Sequence, residues 1–332
     1  MNPRPTIRSP FRTRSVLRAI SVQKALTGRY APLGALLCAL AFACTPVASS
    51  MRLGEPSATG FLPTKGTLLI VGGGSQPDEL VRHFVDLAGG SGKARIAILP
   101  MASSDAVQTG AEKEAQLDSL GADSFVVNFT RAHADDDSVV KALRGATGVW
   151  FPGGDQSLLT AALQGSAALR EIQARFRAGA VVGGTSAGAA VMSDSMITGN
   201  QFWPGMNAAV DSPSFSRISR RSIEIVPGFG FVRNAIVDQH FIRRQRENRL
   251  FTVVLERPSL LGVGIDEGTA LEVTPDGRWK VMGRSSVMIL DARRSRITSA
   301  ASPLGAANIR VSVLPAGSTY DPQSGEATLP AH

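Results

Sequence analysis

The segment Ala180-Val181-Val182-Gly183-Gly184-Thr185-Ser186-Ala187-Gly188-Ala189-Ala190 decides the fold class. It joins an apolar run to a glycine-rich turn and then to small residues, a pattern typical of a buried strand that turns sharply into a helix. Four further apolar runs of strand length alternate with helical patterns, at 68–71, 94–99, 124–127 and 148–151. Continuous apolar strands separated by helices predict an α/β fold with a mostly parallel sheet and helices on both faces.

Three glycine-rich turns follow strands of this predicted sheet, at 72–74, 153–154 and 183–188. Ligands of open parallel sheets bind beyond the carboxyl ends of the strands, so we expect the active site at that edge. The first turn lacks the spacing of a dinucleotide or Walker fingerprint. The histidines are scattered and the predicted domain contains no cysteine pair, so we expect neither a metal nor a cofactor.

The turn at 184–188 contains G-x-S-x-G, the nucleophile elbow, in which the flanking glycines let the backbone hold the serine hydroxyl clear of the sheet. Helix N-terminal amides after the serine favour a developing negative charge. We therefore take Ser186 as the candidate nucleophile, with Gly154 and Ala187 as candidates for the oxyanion hole. Turns of this kind also bind phosphate or simply pack closely, and the motif alone leaves those interpretations open.

The chain has four histidines, and His240 is the candidate general base. His83 lies in a helical pattern and His133 precedes an acidic loop, so both are interpreted as structural or solvated residues. His240 ends the apolar run 235–237 after Asp238-Gln239. A histidine at the end of a buried strand can take the serine proton and return it to a leaving amine. The alternative is a hydrogen-bonded core histidine.

The arginine segment, residues 241–250, follows directly and reads Phe-Ile-Arg-Arg-Gln-Arg-Glu-Asn-Arg-Leu. Arg246 and Arg249 are three residues apart and are expected to share a helix face, with Arg244 just before them. Arginine binds carboxylates through a bidentate fork. The segment therefore predicts recognition of an acidic substrate, and a solvated helix face is the ordinary alternative.

Four ordered motifs resemble the signature segments of cyanophycinases, which belong with dipeptidase E to the S51 serine peptidases. The motifs are Phe151-Pro152-Gly153-Gly154-Asp155-Gln156, Gly184-Thr185-Ser186-Ala187-Gly188-Ala189, Val237-Asp238-Gln239-His240-Phe241 with the arginine segment, and Gly264-Ile265-Asp266-Glu267. The resemblance covers roughly residues 66–295. It implies a fold like that of class I glutamine amidotransferases, which is a flavodoxin-like architecture.

The resemblance also implies the activity. Cyanophycin is a poly-aspartate backbone that carries arginine on each side-chain carboxylate, and its hydrolysis releases β-Asp-Arg dipeptides through an acyl-enzyme. By position, Ser186 is the nucleophile and His240 the base. The residues expected to line the substrate pocket are Gln156, Asp238, Gln239, Arg244, Arg246 and Arg249.

The third catalytic group is where the chain departs from the dipeptidase E pattern. That branch has an aspartate about fifteen residues beyond the serine, and this chain has Gln201 there. An amide cannot act as the charged group that orients the histidine. We therefore expect Glu267 behind His240, with Asp238 as the second candidate.

Three other functions compete with this interpretation. An Asp-preferring peptidase of the dipeptidase E kind is disfavoured by the three arginines. A non-catalytic lipoprotein that binds acidic peptides is disfavoured because Ser186 and His240 are both present. Glutamine amidotransferase activity needs a cysteine nucleophile, and the only cysteines, Cys38 and Cys44, precede the predicted domain.

The first 44 residues have the pattern of an export signal. Seven basic and no acidic residues precede residue 31, and an apolar run at 31–43 ends at Cys44, the candidate lipidation site. The chain is thus expected to be a membrane-anchored lipoprotein or secreted; a cytoplasmic protein with an overlong start is the alternative. This block carries much of the net charge of +8. We expect no nucleic-acid binding, because aromatic and basic residues do not alternate.

Small and polar residues at 45–65 predict a tether. The peptidase domain is expected at 66–295, and 296–332 is expected to extend it. A homodimer is compatible with the sequence, which does not determine the oligomeric state.

Overall fold

The structure, a computed structural model, describes residues 64–202, 210–211 and 215–331. They belong to one compact unit, Gly54–His332. The predicted export signal with Cys38 and Cys44, and most of the predicted tether, lie outside the described residues. None of the described helices is long and apolar enough to cross a membrane.

The described strands and helices alternate along the first half of the chain, and strands dominate the second half. The strands are β1 Leu68–Val71, β2 Arg95–Ile98, β3 Asp123–Val126, β4 Gly148–Phe151, β5 Val181–Thr185, β6 Ser195–Gln201, β7 Val210–Asp211, β8 Ile223–Pro227, β9 Ala235–Gln239, β10 Leu261–Ile265, β11 Thr269–Val273, β12 Trp279–Gly283, β13 Ser286–Asp291, β14 Arg296–Ile297, β15 Ala306–Ala307, β16 Arg310–Pro315, β17 Thr319–Tyr320 and β18 Ala327–Thr328. The α-helices are α1 Asp78–Leu87, α2 Ala106–Ser119, α3 Asp137–Arg144, α4 Gln156–Leu163, α5 Ala167–Ala178, α6 Ala187–Ala190 and α7 Glu247–Glu256, and a short 3₁₀ helix spans Arg131–His133.

The main sheet has nine strands in the order β18-β17-β12-β11-β1-β5-β4-β2-β3. The five strands from β1 to β3 in this order are parallel to one another. They are the five strands predicted from the apolar runs, so the predicted α/β fold is confirmed. Beyond β1 the sheet continues with antiparallel strands from the C-terminal half of the chain.

The two faces of the main sheet are buried by different layers, which explains the continuous apolar strands. On β1, Leu68 and Ile70 belong to one buried cluster, which includes residues of α4, α5 and the second sheet. Leu69 and Val71 point to the other face, among residues of α1 and α2. Because successive side chains of a strand alternate between faces, a strand covered on both sides must be apolar throughout.

A second sheet has the order β16-β13-β10-β9, and residues of the predicted active site follow two of its strands. β9 and β10 are parallel, whereas β13 and β16 are antiparallel to their neighbours. Helix α7 packs on this sheet through a third apolar cluster, which includes Leu250 and Val253. The segment predicted as a C-terminal extension supplies β16 to this sheet and β17 and β18 to the main sheet.

Candidate active site

Ser186 stands at the sharp turn between β5 and α6. Its backbone has φ 54° and ψ −111°, a left-handed conformation that is strained for a residue with a Cβ atom and is tolerated where the surroundings enforce it. The amide of Ser186 donates to the carbonyl oxygen of Val71, 3.1 Å away on the neighbouring strand. A Cβ atom on Gly188 would lie 2.0 Å from the carbonyl oxygen of Phe151, so only glycine lets α6 approach β4. The turn is therefore held rigidly against two strands.

The structure brings together the three predicted catalytic side chains, which we call the Ser186–His240–Glu267 array. The Nε2 atom of His240 lies 2.8 Å from Oγ of Ser186. The opposite ring nitrogen, Nδ1, lies 2.5 Å from Oε1 of Glu267. His240 follows β9 and Glu267 follows β10, so the two parallel strands deliver base and acid to the same edge.

The array has the geometry that nucleophilic catalysis by serine requires. A carboxylate that accepts the Nδ1 proton holds the histidine in the tautomer whose Nε2 can accept the serine proton. Asp238, the other candidate acid, is hydrogen bonded to Arg249 instead. Of the two predicted candidates, Glu267 is the one that contacts His240, and its catalytic role stays a prediction.

The turn after β1 forms the floor beneath His240 and Glu267, a role that was not predicted from the sequence. A Cβ atom on Gly73 would lie 2.3–2.8 Å from three atoms of the His240 ring. A Cβ atom on Gly74 would lie 2.9 Å from Oε2 of Glu267. The amide of His240 also donates to the carbonyl oxygen of Gly72, 2.6 Å away. Only glycine permits this approach, and its position after the first strand was the available signal.

Burial lowers the pKa of His240 below its ordinary value, and the positive charges of Arg244 and Arg246 lower it further, whereas Glu267 raises it. His240 is 6% exposed, and a buried histidine favours its neutral form. Since only neutral imidazole can accept the serine proton, the environment keeps the base ready at neutral pH.

The predicted oxyanion-hole residues lie next to the nucleophile along the chain and across the sheet. Among the described residues, the amides of Gly154 and Ala187 donate to no protein acceptor, which leaves both as donors for an oxyanion. The glycine whose α-carbon faces the nucleophile is Gly153, where a Cβ atom would lie 3.4 Å from Cβ of Ser186. The roles of these amides stay predictions.

The arginine segment differs from its prediction. Arg246 is the N-cap of α7 and lies outside the helix, so it does not share a helix face with Arg249. Arg249 is 1% exposed, and its guanidinium forms a bidentate pair with the fully buried carboxylate of Asp238. Neither residue has a surface that a substrate could touch. The prediction that Arg249 and Asp238 line the pocket is wrong: they form a buried ion pair beneath it.

Arg244 and Arg246 are the members of the segment that remain near the predicted pocket. Arg244 is exposed, and its charge acts on His240. The Nη1 atom of Arg246 donates to the backbone oxygen and to Oε1 of Gln239, at 2.6 and 2.8 Å. Gln239 is 5% exposed, so its side chain positions Arg246 and offers little surface to a substrate.

Gln156 begins α4 and is also buried, at 7% exposure. Its Nε2 atom donates to the carbonyl oxygen of Ile197, 3.0 Å away, and to that of Thr198. It therefore connects α4 to β6, and its predicted contact with a substrate gains no support from its position. Gln201, at the end of β6, is 4% exposed.

A second polar feature beside Ser186 was not predicted. The Lys113 cleft, of ≈ 460 Å³, is lined in part by Thr185, which precedes Ser186 in the chain, and by Gly153, whose α-carbon faces the Ser186 side chain. Its polar lining comes from Gln76, Thr109, Glu112, Lys113, Gln116 and Thr185. Most of these residues lie on α2, whose sequence contains no recognisable motif. Only the three-dimensional structure places this helix against the nucleophile turn.

The chain is similar to known peptidases over most of its length. A family model of peptidase family S51 matches residues 68–280. A cyanophycinase of Nostoc sp. is 33% identical over 284 residues, which cover 82% of this chain and 89% of that protein. A cyanophycinase of Geminocystis herdmanii is 31% identical over 268 residues, 77% of this chain and 94% of that protein.

One solved structure supports the fold. A peptidase from an acI-B1 Actinobacterium matches with a TM-score of 0.55 and 23% identity, over 73% of this chain and 97% of that chain. At this level of identity the similarity concerns the arrangement of helices and strands.

Proposed function

The chain belongs to peptidase family S51, and from this premise we propose that it is a serine exopeptidase that hydrolyses cyanophycin to β-Asp-Arg dipeptides. The observation that supports the mechanism most directly is the Ser186–His240–Glu267 array, in which each side chain touches the next. The substrate is inferred from the cyanophycinases that resemble the chain at 31–33% identity over most of its length.

Acylation begins when Oγ of Ser186 attacks the carbonyl carbon of a backbone amide and Nε2 of His240 takes the hydroxyl proton. The carbonyl oxygen becomes an oxyanion, for which the amides of Ala187 and Gly154 are the proposed donors. As the carbon–nitrogen bond breaks, His240 gives its proton to the departing amine. The product of this half-reaction is an ester on Ser186 and a free amino group.

Deacylation repeats the sequence with water. His240 removes a proton from the water that attacks the ester carbonyl carbon, and the carbon–oxygen bond to Ser186 breaks. The proton then returns from His240 to Oγ of Ser186, and the second product leaves as a carboxylate. In both half-reactions the Glu267 carboxylate accepts the hydrogen bond from Nδ1 of His240 and stabilises the imidazolium that forms.

Arg244 supports an acidic substrate. It is exposed beside His240, and its guanidinium offers a fork of donors to a carboxylate. The guanidinium of Arg246, two residues further on, is held by Gln239. The buried pair of Asp238 and Arg249 supports this arrangement from below because it fixes the end of β9 to the start of α7.

Incubation of the purified protein with cyanophycin, with products identified by mass spectrometry, tests the proposal. We expect β-Asp-Arg dipeptides from the wild type and a loss of about three or more orders of magnitude in kcat for Ser186→Ala with an unchanged Tm. An Asp-X dipeptide series serves as the comparison, since preferential cleavage of these dipeptides would indicate a dipeptidase E-like specificity. Unchanged activity in Ser186→Ala would contradict the mechanism.

We further propose that the first 44 residues export the chain, with lipidation of Cys44 as the anchor. The proposal is supported by the basic residues before residue 31 and by the apolar run at 31–43. Fractionation of cells that express the full chain, with intact-mass analysis, is the test. Recovery of the full-length chain from the cytosol would contradict export, and a mature chain without lipid would indicate secretion.

We also propose a homodimer that forms across β16, an edge strand of the second sheet. Val311 and Val313 of this strand are 44% and 55% exposed, and an exposed apolar edge is a common site of strand pairing. Light scattering should give twice the monomer mass for the wild type and the monomer mass for Val313→Lys. A monomeric wild type would contradict the proposal.

A further inference from the structure

The Lys113 cleft lies directly beside the proposed nucleophile. Thr185 precedes Ser186 in the chain, and the α-carbon of Gly153 faces the Ser186 side chain. The volume of ≈ 460 Å³ lies within the range of about 300–1,000 Å³ that is usual for ligand pockets. A substrate bound at Ser186 can therefore extend into this cleft.

Lys113 brings a positive charge into the cleft, and its ammonium group is not paired with a carboxylate among the described residues. Its Nζ atom donates to Oε1 of Gln76 at 2.8 Å and to Oε1 of Gln116 at 2.5 Å. It also lies 5.0 Å from the centre of the Trp150 ring. Among the described residues Lys113 forms no ion pair, and burial lowers its pKa to about 8. A partly buried cation supported only by neutral groups is an unusual arrangement in a folded protein.

The other groups around Lys113 leave hydrogen-bond donors available. Because Gln76 and Gln116 both present their carbonyl oxygens to the ammonium group, their amide nitrogens remain as donors. Thr185 is 7% exposed, and its buried hydroxyl has no hydrogen-bond partner among the described residues. A cation surrounded by donors is complementary to a carboxylate.

Glu112 adds an opposite charge at the mouth of the cleft. It is exposed, and its carboxylate accepts a hydrogen bond from Nε2 of Gln108, 2.6 Å away. A ligand that carries a carboxylate and a cation therefore fits the cleft better than a simple anion. In a β-Asp-Arg unit the arginine is bound through its amino group, so its α-carboxylate and its guanidinium are both free.

We propose that the Lys113 cleft is a substrate subsite in which Lys113 binds the α-carboxylate of an arginine branch, next to the bond that Ser186 attacks. The inference rests on the proposed cyanophycin substrate. It makes Lys113 a specificity-determining residue, distinct from the arginine segment. The guanidinium of the same branch extends towards Glu112.

Three short substrates of β-Asp-Arg repeats test the subsite: an unmodified one, one with amidated branch carboxylates, and one with an amidated backbone C-terminus. The full chain is assayed as wild type, as Lys113→Met and as Lys113→Gln, which keeps hydrogen bonding to the neighbouring amides. Lys141→Met is the matched control, because Lys141 is an exposed lysine on α3. Tm is measured for every variant.

For the unmodified substrate, both Lys113 variants should lose about ten- to a hundredfold in kcat/KM, mainly through KM. Amidation of the branch carboxylates should lower kcat/KM of the wild type by a similar factor and lower that of the Lys113 variants little further. Such non-additive losses indicate a direct pair between Lys113 and the branch carboxylate. Lys141→Met should behave like the wild type.

The subsite would be overturned if the Lys113 variants lost as much kcat/KM, relative to the wild type, on the branch-amidated substrate as on the unmodified one. It would also be overturned if they lost none on either substrate. If the wild type loses kcat/KM on the substrate with the amidated backbone C-terminus and not on the branch-amidated one, the assignment of Lys113 to a branch carboxylate is overturned. If the folded wild type cleaves none of the three substrates, the proposed function fails and the subsite fails with it.

Discussion

The Ser186–His240–Glu267 array brings distant residues of the chain into contact, whereas the arginine segment places neighbouring residues in different environments. The members of the array are up to 81 residues apart, 186 to 267, yet each touches the next within 2.8 Å. The arginine segment spans ten residues, yet its three predicted substrate arginines lie in three environments. Arg244 is exposed, Arg246 is mostly covered, and Arg249 is buried on Asp238.

The cause of the difference is the local backbone. Parallel strands bring their carboxyl ends to one edge, so residues that follow different strands converge there. The chain after His240 makes a tight turn, in which Gln245 has φ 51°, before α7 begins at Glu247. Neighbouring side chains of such a turn point in different directions. A position after a parallel strand therefore predicts a shared site for the members of the array. Closeness in the sequence does not predict a shared role for the arginines.

The largest effect is expected from breaking the array at its acid. Glu267→Gln should lower kcat by about two to four orders of magnitude, because an amide at this position no longer stabilises the imidazolium. Steady-state kinetics on cyanophycin measures the change. Glu326→Gln, at an exposed C-terminal position, is the control. Near wild-type kcat in Glu267→Gln would show that the contact with His240 is not catalytic.

The next effect concerns stability and tests the interior half of the arginine segment. Arg249→Leu should lower the free energy of unfolding by about 3–5 kcal/mol, since it leaves the buried Asp238 carboxylate without its partner. Urea denaturation measures the change. Asp238→Leu combined with Arg249→Leu should recover much of the loss, because both buried charges are then removed. A single variant as stable as the wild type would contradict the buried pair.

A smaller effect on activity tests the exposed half of the segment. Arg244→Ala should reduce kcat/KM for cyanophycin about tenfold, the equivalent of one charge-assisted hydrogen bond. Arg243→Ala is the matched control, since Arg243 is an adjacent exposed arginine that is not a predicted site residue. Equal kinetics for the two variants would assign Arg244 to the solvated surface.

The smallest effect is on the pH profile. Because the pKa of His240 is lowered from 6.5, the acidic limb of kcat/KM should lie below pH 6.5, where protonation removes the base. Arg244→Ala removes a positive charge that lowers this pKa, so its acidic limb should move to higher pH. Measurement of kcat/KM across the pH range gives the acidic limb of the wild type and that of the variant. A limb that moves to lower pH in this variant would contradict the electrostatic coupling.

The sequence alone predicted the fold class, which the structure confirms, and the pair of Ser186 and His240, whose side chains are in contact. Five apolar runs became the parallel strands, because burial on both faces requires apolar side chains at every strand position. The G-x-S-x-G turn located Ser186, since close backbone approach admits only glycine around it. The histidine at the end of another apolar run located His240 for the same topological reason.

Only the tertiary structure decided which charged residues reach the site. The sequence left Glu267 and Asp238 open as the acid, and contact with His240 distinguishes them because Asp238 points into the interior towards Arg249. It placed Arg249 in the pocket and gave no signal for Lys113. Whether a charged side chain meets a substrate, a buried partner or solvent depends on the elements packed around it. For Lys113 those elements are α2, the turn after β1 and the Trp150 ring on β4, which come together only in the folded chain.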